Sequence, residues 1–165
     1  MPRLFVAVWP PDDVLDAVES LPRAAEAGVR WTERRHWHIT LRFLGDAEIV
    51  DAIAALSIVE AAPSEVVLGP QVTHLGRNVV CIPGRGLDDV SAEVRNVTAH
   101  IGEAPDQHPF SAHITLARLN HHAECSLAGT AFTSSFDVDE VHLVESAVGP
   151  GGPAYETVYV RPLTG

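Results

Sequence analysis

His38-Ile39-Thr40-Leu41 recurs as His113-Ile114-Thr115-Leu116, 75 residues further on (113 minus 38). Histidine is the side chain whose unperturbed pKa lets it hold or release a proton near neutrality. On an extended chain, residues two apart share a face, so each copy sets an imidazole beside a threonine hydroxyl. The Ile and Leu of each copy then face the other way, where a core can take them. Two such faces lining one cavity can divide a proton transfer. A neutral ring takes a proton from water, and a protonated ring gives one to a leaving oxygen. Thr40 and Thr115 add hydroxyl donors for a non-bridging phosphate oxygen, where negative charge grows in the transition state. The chemistry this suits is the opening of a cyclic phosphate ester without a metal. A lone strand histidine is more often a satisfied core residue. Two matched His/Thr faces, each following a helical pattern, favour the chemical reading.

The elements that must position these faces read as follows. Residues 4–9 form a short apolar strand, closed by Pro10-Pro11. Residues 12–27 place Val14, Leu15, Val18 and Leu21 at helical spacing, with Asp12 or Asp13 as the cap. Residues 31–44 alternate as a strand that Gly45 ends. Residues 46–62 repeat the helical pattern with Ile49, Ile53, Leu56 and Val59 on one side, until Pro63 breaks it. Strands return over 66–82, with a turn at Gly76-Arg77-Asn78, and Pro83-Gly84-Arg85-Gly86 reads as a loop. A third helix is expected over 87–101, and a strand over 110–119 around the second motif. Three more strands follow at 130–136, 140–148 and 155–160, with a Gly- and Pro-rich loop between the last two. The class this implies is α+β, with mostly antiparallel strands packed against helices.

The chain carries a formal net charge of −11 and every basic residue is arginine. Such a field opposes non-specific binding to long nucleic acid, which depends on neutralising many phosphates, so no DNA partner is expected. A pocket that grips one phosphate through local donors remains open to it. Cys81 and Cys125 form no metal-like pair and read as buried, reduced thiols of a cytoplasmic protein. No segment has the length of a transmembrane helix, so no membrane partner is expected. Nothing in the sequence calls for a dimer, and a monomer is expected. His121-His122 diverge on an extended chain and make a poor chelate. His36 reads as a rim residue, and His74, His100, His108 and His142 have no recognisable partner spacing. Arg42 lies two beyond Thr40, where alternation puts it on the His38 face and within reach of a phosphate. Phe43 and Phe110 read as core residues rather than platforms for a base. Neither a dinucleotide fingerprint, a P-loop nor a nucleophile elbow occurs.

The chain resembles the LigT-like RNA 2′,3′-cyclic phosphodiesterases of the 2H phosphoesterase superfamily. The likeness is carried by Arg3-Leu4-Phe5-Val6-Ala7-Val8, by His36-Trp37 and the first motif with Arg42-Phe43-Leu44-Gly45, by Pro109-Phe110-Ser111-Ala112 and the second motif with Ala117-Arg118, and by Val141-His142-Leu143-Val144-Glu145-Ser146. The resemblance implies one domain over 1–165, made of two intertwined, pseudo-symmetric lobes with outer helices, one motif per lobe facing a central cleft. It implies hydrolysis of an RNA-terminal 2′,3′-cyclic phosphate, or of a small cyclic nucleotide, to a 2′-phosphomonoester with no cofactor and no metal. In some members it includes a reversible 2′-5′ RNA ligation. It makes His38 the proton donor and His113 the acceptor, a symmetry the residues alone do not break. Thr40 and Thr115 would bind the phosphate, and so would Arg118. Arg118 stands five beyond His113, so strict alternation points it away and a bulge or strand end is needed to bring it back. Ala112 stands where the family often has proline, which loosens the approach to the second motif without removing a catalytic atom.

Two other classes of function are compatible with the same residues. A module that binds RNA ends or nucleotides without turnover would keep the cleft and lack hydrolysis. A metal-dependent hydrolase would join His38 and His113 to a third ligand and be sensitive to chelator.

Overall fold

In the computed structural model, which describes residues 1–120 and 122–165, the first apolar run forms β1 (Arg3–Val8), buried along five of its six residues. It lies between β3 (Ile39–Asp46) and β9 (Glu140–Gly149), antiparallel to both. A strand with neighbours on both edges and cover on both faces demands this unbroken apolar run. β10 (Gly152–Pro162) folds back along β9 and ends that half of the sheet. The other half is β7 (His113–Leu119), β6 (Val79–Arg85), β4 (Ser64–Leu68) and β8 (Ser134–Val138). The order across the sheet is β10-β9-β1-β3-β7-β6-β4-β8; β2 (Val29–Trp31) adds to β7 and β5 (Thr73–Leu75) adds to β6. All pairings are antiparallel among the described residues, which makes the architecture the α+β one that the sequence implied.

The two halves of the sheet meet where β3 and β7 touch, and among the described residues their register pair is Ile39 with Ile114. These are the second residues of the two repeats. Equivalent residues paired antiparallel lie on a local twofold axis, so one step to either side brings His38 level with Thr115 and Thr40 level with His113. The ladders flanking the seam repeat the correspondence. Ala7 pairs with Thr40 but Val6 with Arg42, leaving Leu41 as an extra residue. Cys81 pairs with Thr115 but Val80 with Ala117, leaving Leu116 extra. Both bulges fall on the leucine of the motif. Each shifts the alternation by one, so Phe43 and Arg118, five beyond their histidines, return to the His/Thr face.

Three helices cover the sheet, each shorter than its apolar periodicity: α1 (Asp12–Glu19), α2 (Ile49–Leu56) and α3 (Asp88–Val97). The reason is common to all three. Ser20 Oγ donates to the Ala17 carbonyl at 2.6 Å, Ser57 Oγ to Ala54 at 2.7 Å, and Thr98 Oγ1 to Val94 at 2.6 Å. A hydroxyl that bonds back to a carbonyl of the last turn competes with the next backbone amide. Pro22 also forces Leu21 out of the helical region. The apolar residues beyond these ends, Leu21, Val59 and Ile101, are buried all the same. Neither Asp12 nor Asp13 is the cap. Pro11 takes that position, and both acids sit in the first turn, where the helix dipole favours them.

Several expected bounds change. The strand read over 31–44 divides into β2, a 3-10 turn at Arg34–His36, and β3, which runs on through Gly45 to Asp46. Of the segment read as a loop at 83–86, residues 83–85 are the end of β6, while 110–112 precede β7 rather than belonging to it. The strand read over 130–136 starts only at Ser134 and extends to Val138. Cys81 and Cys125 are buried free thiols. Among the described residues no helix is long and apolar enough to cross a membrane.

Candidate active site

A cleft of about 820 Å³ opens over the seam, lined by His38, Thr40, His113, Thr115 and Arg118 together with aromatic and basic neighbours. Both motif histidines are anchored alike. The Nδ1–H of His38 donates to the carbonyl of His36 at 2.7 Å, and that of His113 to the carbonyl of Ser111 at 2.8 Å. A carbonyl only accepts, so Nδ1 carries the proton and Nε2 is left as the working atom of each ring. The approach to the second motif is tied down too: Ala112 is buried and its carbonyl accepts the Gly84 N–H at 2.8 Å.

The surroundings of the two rings differ. His38 stands among Phe5, Trp9 and Tyr155, with ring centroids at 5.0, 5.5 and 5.4 Å, and its Nε2 accepts from the Thr40 hydroxyl at 2.9 Å. Burial drives its pKa down to about 4; the bond to the His36 carbonyl resists, while the charges of His113, His36 and Arg118 push the same way as burial. His113 is half-buried, and no aromatic ring packs on it among the described residues. Burial also raises the Tyr155 phenol, against the pull of Arg118. The positive charge of Arg118 therefore reaches two groups on the far wall.

Such a pair can take a proton at one Nε2 and release one at the other, with two hydroxyls between them for an oxyanion. Among the described residues, no group of three or more His, Cys, Asp or Glu side chains is arranged to hold a metal ion.

Comparison with known proteins points the same way. A family model described as LigT like Phosphoesterase matches residues 8–69. An RNA 2′,3′-cyclic phosphodiesterase of Geobacillus stearothermophilus is 29% identical over 167 residues, covering 91% of this chain and 51% of that protein. One of Aeropyrum pernix is 29% identical over 158 residues, covering 82% and 88%. The chain thus spans about half the length of the first relative and most of the second. Among solved structures, TT0787 of Thermus thermophilus has a TM-score of 0.84 at 24% identity, covering 99% of this chain and 98% of that one. LigT of E. coli complexed with 3′-AMP has a TM-score of 0.80 at 24% identity, covering 99% of both. The chain is thus similar to LigT-like phosphoesterases over residues 8–69 and shares the fold of these solved structures.

One candidate lies elsewhere than expected. Arg42 is 5% exposed and points away from the cleft. Its Nε donates to Thr98 Oγ1 at 3.2 Å, Nη1 to the Phe43 carbonyl at 2.5 Å, and Nη2 to the carbonyls of Thr98, Ile101 and Glu103 at 3.2, 3.1 and 2.6 Å. The bulge at Leu41 turned it. The loop that supplies these carbonyls approaches β3 closely at Gly102, where φ is +61° and a Cβ would lie 2.1 Å from the Leu44 carbonyl oxygen. Arg42 is a structural cation, not a phosphate ligand. The same shift corrects Phe43, which is exposed in the cleft under the Arg3 guanidinium at 5.3 Å; Phe110 packs on the core as expected.

Other cleft residues were not singled out as site candidates. Phe5 and Tyr155 reach His38 only because β1, β9 and β10 lie side by side. His36 is indeed on the rim, its Nε2–H donating to the Pro153 carbonyl at 2.6 Å. His142 does have partners: Nε2–H donates to Glu140 at 3.0 Å, and Nδ1 accepts from the Thr157 hydroxyl at 3.2 Å. Glu140 is two residues away on the same strand face, a spacing visible in the sequence. The His121-His122 pair falls partly outside the described residues, since His121 is not among them.

Proposed function

We propose that this protein hydrolyses RNA-terminal 2′,3′-cyclic phosphates, or small 2′,3′-cyclic nucleotides, to 2′-phosphomonoesters. The observation that carries the reading is the meeting of two His/Thr pairs at the Ile39–Ile114 seam, with each Nδ1 held on a backbone carbonyl. The names of the relatives support the substrate class. The unit of action is the whole of 1–165 as one two-lobed domain, working as a monomer in the cytoplasm, where two buried free thiols are at home.

Water attacks phosphorus as His113 Nε2 takes its proton, the P–O3′ bond breaks, and His38 Nε2–H protonates the departing O3′. Thr40 and Thr115 hold the non-bridging oxygens as charge builds on them, and Arg118 contacts a substrate phosphate from beside them. Burial leaves His38 neutral in the empty cleft at pH 7. Its donor role therefore requires the substrate phosphate to recharge it, as an anion beside an imidazole does. Run with a ribose hydroxyl of a second RNA end in place of water, the same geometry accounts for 2′-5′ ligation.

The test is incubation of an RNA oligomer bearing a 2′,3′-cyclic end, with chelator present, followed by identification of the product terminus. A 2′-phosphate is expected from the native protein and not from His38→Ala or His113→Ala. An untouched cyclic end would favour a binding module instead, and loss of activity with chelator would favour a metal hydrolase.

A further inference from the structure

We infer that Arg30 and Arg118 form a second anion subsite, for the phosphate on the 5′ side of the terminal nucleotide, which makes an RNA chain end the preferred substrate over a lone cyclic mononucleoside. The inference rests on the cyclic phosphodiesterase reading above and specifies its substrate.

Arg30 on β2 and Arg118 on β7 are direct cross-strand partners, and both line the cleft. Like charges directly opposite on neighbouring strands repel. Neither guanidinium has a hydrogen bond, ion pair or ring contact among the described residues. Acidic groups are not scarce, since the chain has 22 against 11 basic residues. Other arginines find them: Arg34 binds Asp16 and Glu19, and Arg35 binds Glu33 at 2.8 Å. Among the described residues Glu33 is the one acidic residue lining the cleft, so that pairing engages the carboxylate there that could neutralise the arginine pair. Two adjacent unpaired cations in an acidic protein are stabilised by an anion bound between them.

Position distinguishes this anion from the reacting phosphate. The reacting group belongs on the twofold axis, between the histidines and against Thr40 and Thr115. Arg118 is the next residue on that face beyond Thr115, and two strand steps amount to roughly 7 Å. Arg30 lies across from it, on the strand that extends the sheet away from the seam. Successive phosphates of a nucleotide chain are spaced on that same scale. On the side of Phe5, Trp9 and Tyr155, the further arginine that lines the cleft, Arg3, is already engaged over the Phe43 ring at 5.3 Å.

The experiment compares three substrates: a nucleoside 2′,3′-cyclic phosphate, its 5′-phosphorylated form, and the dinucleotide with the same cyclic end. The native protein should prefer the second and third over the first by about tenfold in kcat/KM, as charge-assisted contacts to one extra phosphate allow. Arg30→Gln should bring the ratio of second to first towards one, Arg30→Lys should keep part of it, and added salt should shrink it. A ratio near one in the native protein, or one unchanged in Arg30→Gln, overturns the subsite. So does a preference for the dinucleotide alone, which would reflect the added base. Turnover of none of the three overturns the hydrolase reading instead. The subsite is then judged by calorimetry with a nucleoside 2′,5′-bisphosphate against the 2′-monophosphate, where the same Arg30-dependent gain is expected and its absence is decisive.

Discussion

Ile39 and Ile114, both fully buried, face each other in the register pair that joins β3 to β7. The two motif histidines flank that point, each one residue before its isoleucine. Ile39→Ala should lower stability by about 2–5 kcal/mol through lost burial and a residual cavity. Because the seam also sets the spacing of the histidines, kcat should fall below what the folded fraction accounts for. Urea unfolding together with kcat under conditions where the variant is fully folded separates the two effects.

Replacing His38 or His113 with alanine should cut turnover by about 10²–10⁴-fold while circular dichroism and Tm stay near native. His113 is the cleaner probe, since it belongs to no hydrophobic core cluster among the described residues and its loss empties no core. Activity retained in both variants would end the two-histidine mechanism.

The depressed pKa of His38 makes two linked outcomes. The ring is neutral above both its folded value, about 4, and its unfolded value near 6.5, and in the window between them the unfolded chain binds more protons. Stability is therefore fully present above about pH 6.5 and declines as pH falls through 4, and His38→Gln should flatten that slope in a Tm series. By NMR, the His38 titration should move upward when a 2′-nucleotide product is added. A ring that stays low with product bound could not serve as the donor.

Arg42→Met should leave the carbonyls of Thr98, Ile101 and Glu103 without their donor, at a cost of at least about 1–3 kcal/mol. KM should hold, because the guanidinium does not line the cleft. A raised KM at unchanged stability would return Arg42 to the substrate.

Phe43→Ala should do the converse. The ring is 43% exposed, so stability should change by less than about 0.5 kcal/mol. Loss of a stacking platform should weaken binding of a nucleotide by about 1–3 kcal/mol, read as KM.

The contrast between Arg42 and Phe43 shows where sequence reading stops. Alternation with period two put Arg42 in the cleft and Phe43 in the core, and one extra residue at Leu41 exchanged them. The resemblance-based placing of Arg118 already demanded such a bulge on the second motif; the repeat of Leu at 116 and 41 was the signal that both strands carry it. The motif pairs, the three helices and the antiparallel class followed from local pattern, because periodicity and repeats are local. Helix ends were missed where the apolar period ran on past Ser20, Ser57 and Thr98, whose hydroxyls close the last turn. Tyr155 and Arg30 were beyond reach for a different reason: their places depend on which strands become neighbours, and no spacing in one chain encodes that.

A twofold cleft offers any ligand two equivalent ways of lying in it, and a nucleotide end has no twofold symmetry. Were both walls alike, half of all encounters would seat the ribose backwards, with the leaving oxygen at the wrong ring. Phe5, Trp9 and Tyr155 crowd one histidine and leave the other open to water. That inequality lets the protein choose the polarity of its ligand at docking, before any bond has been broken.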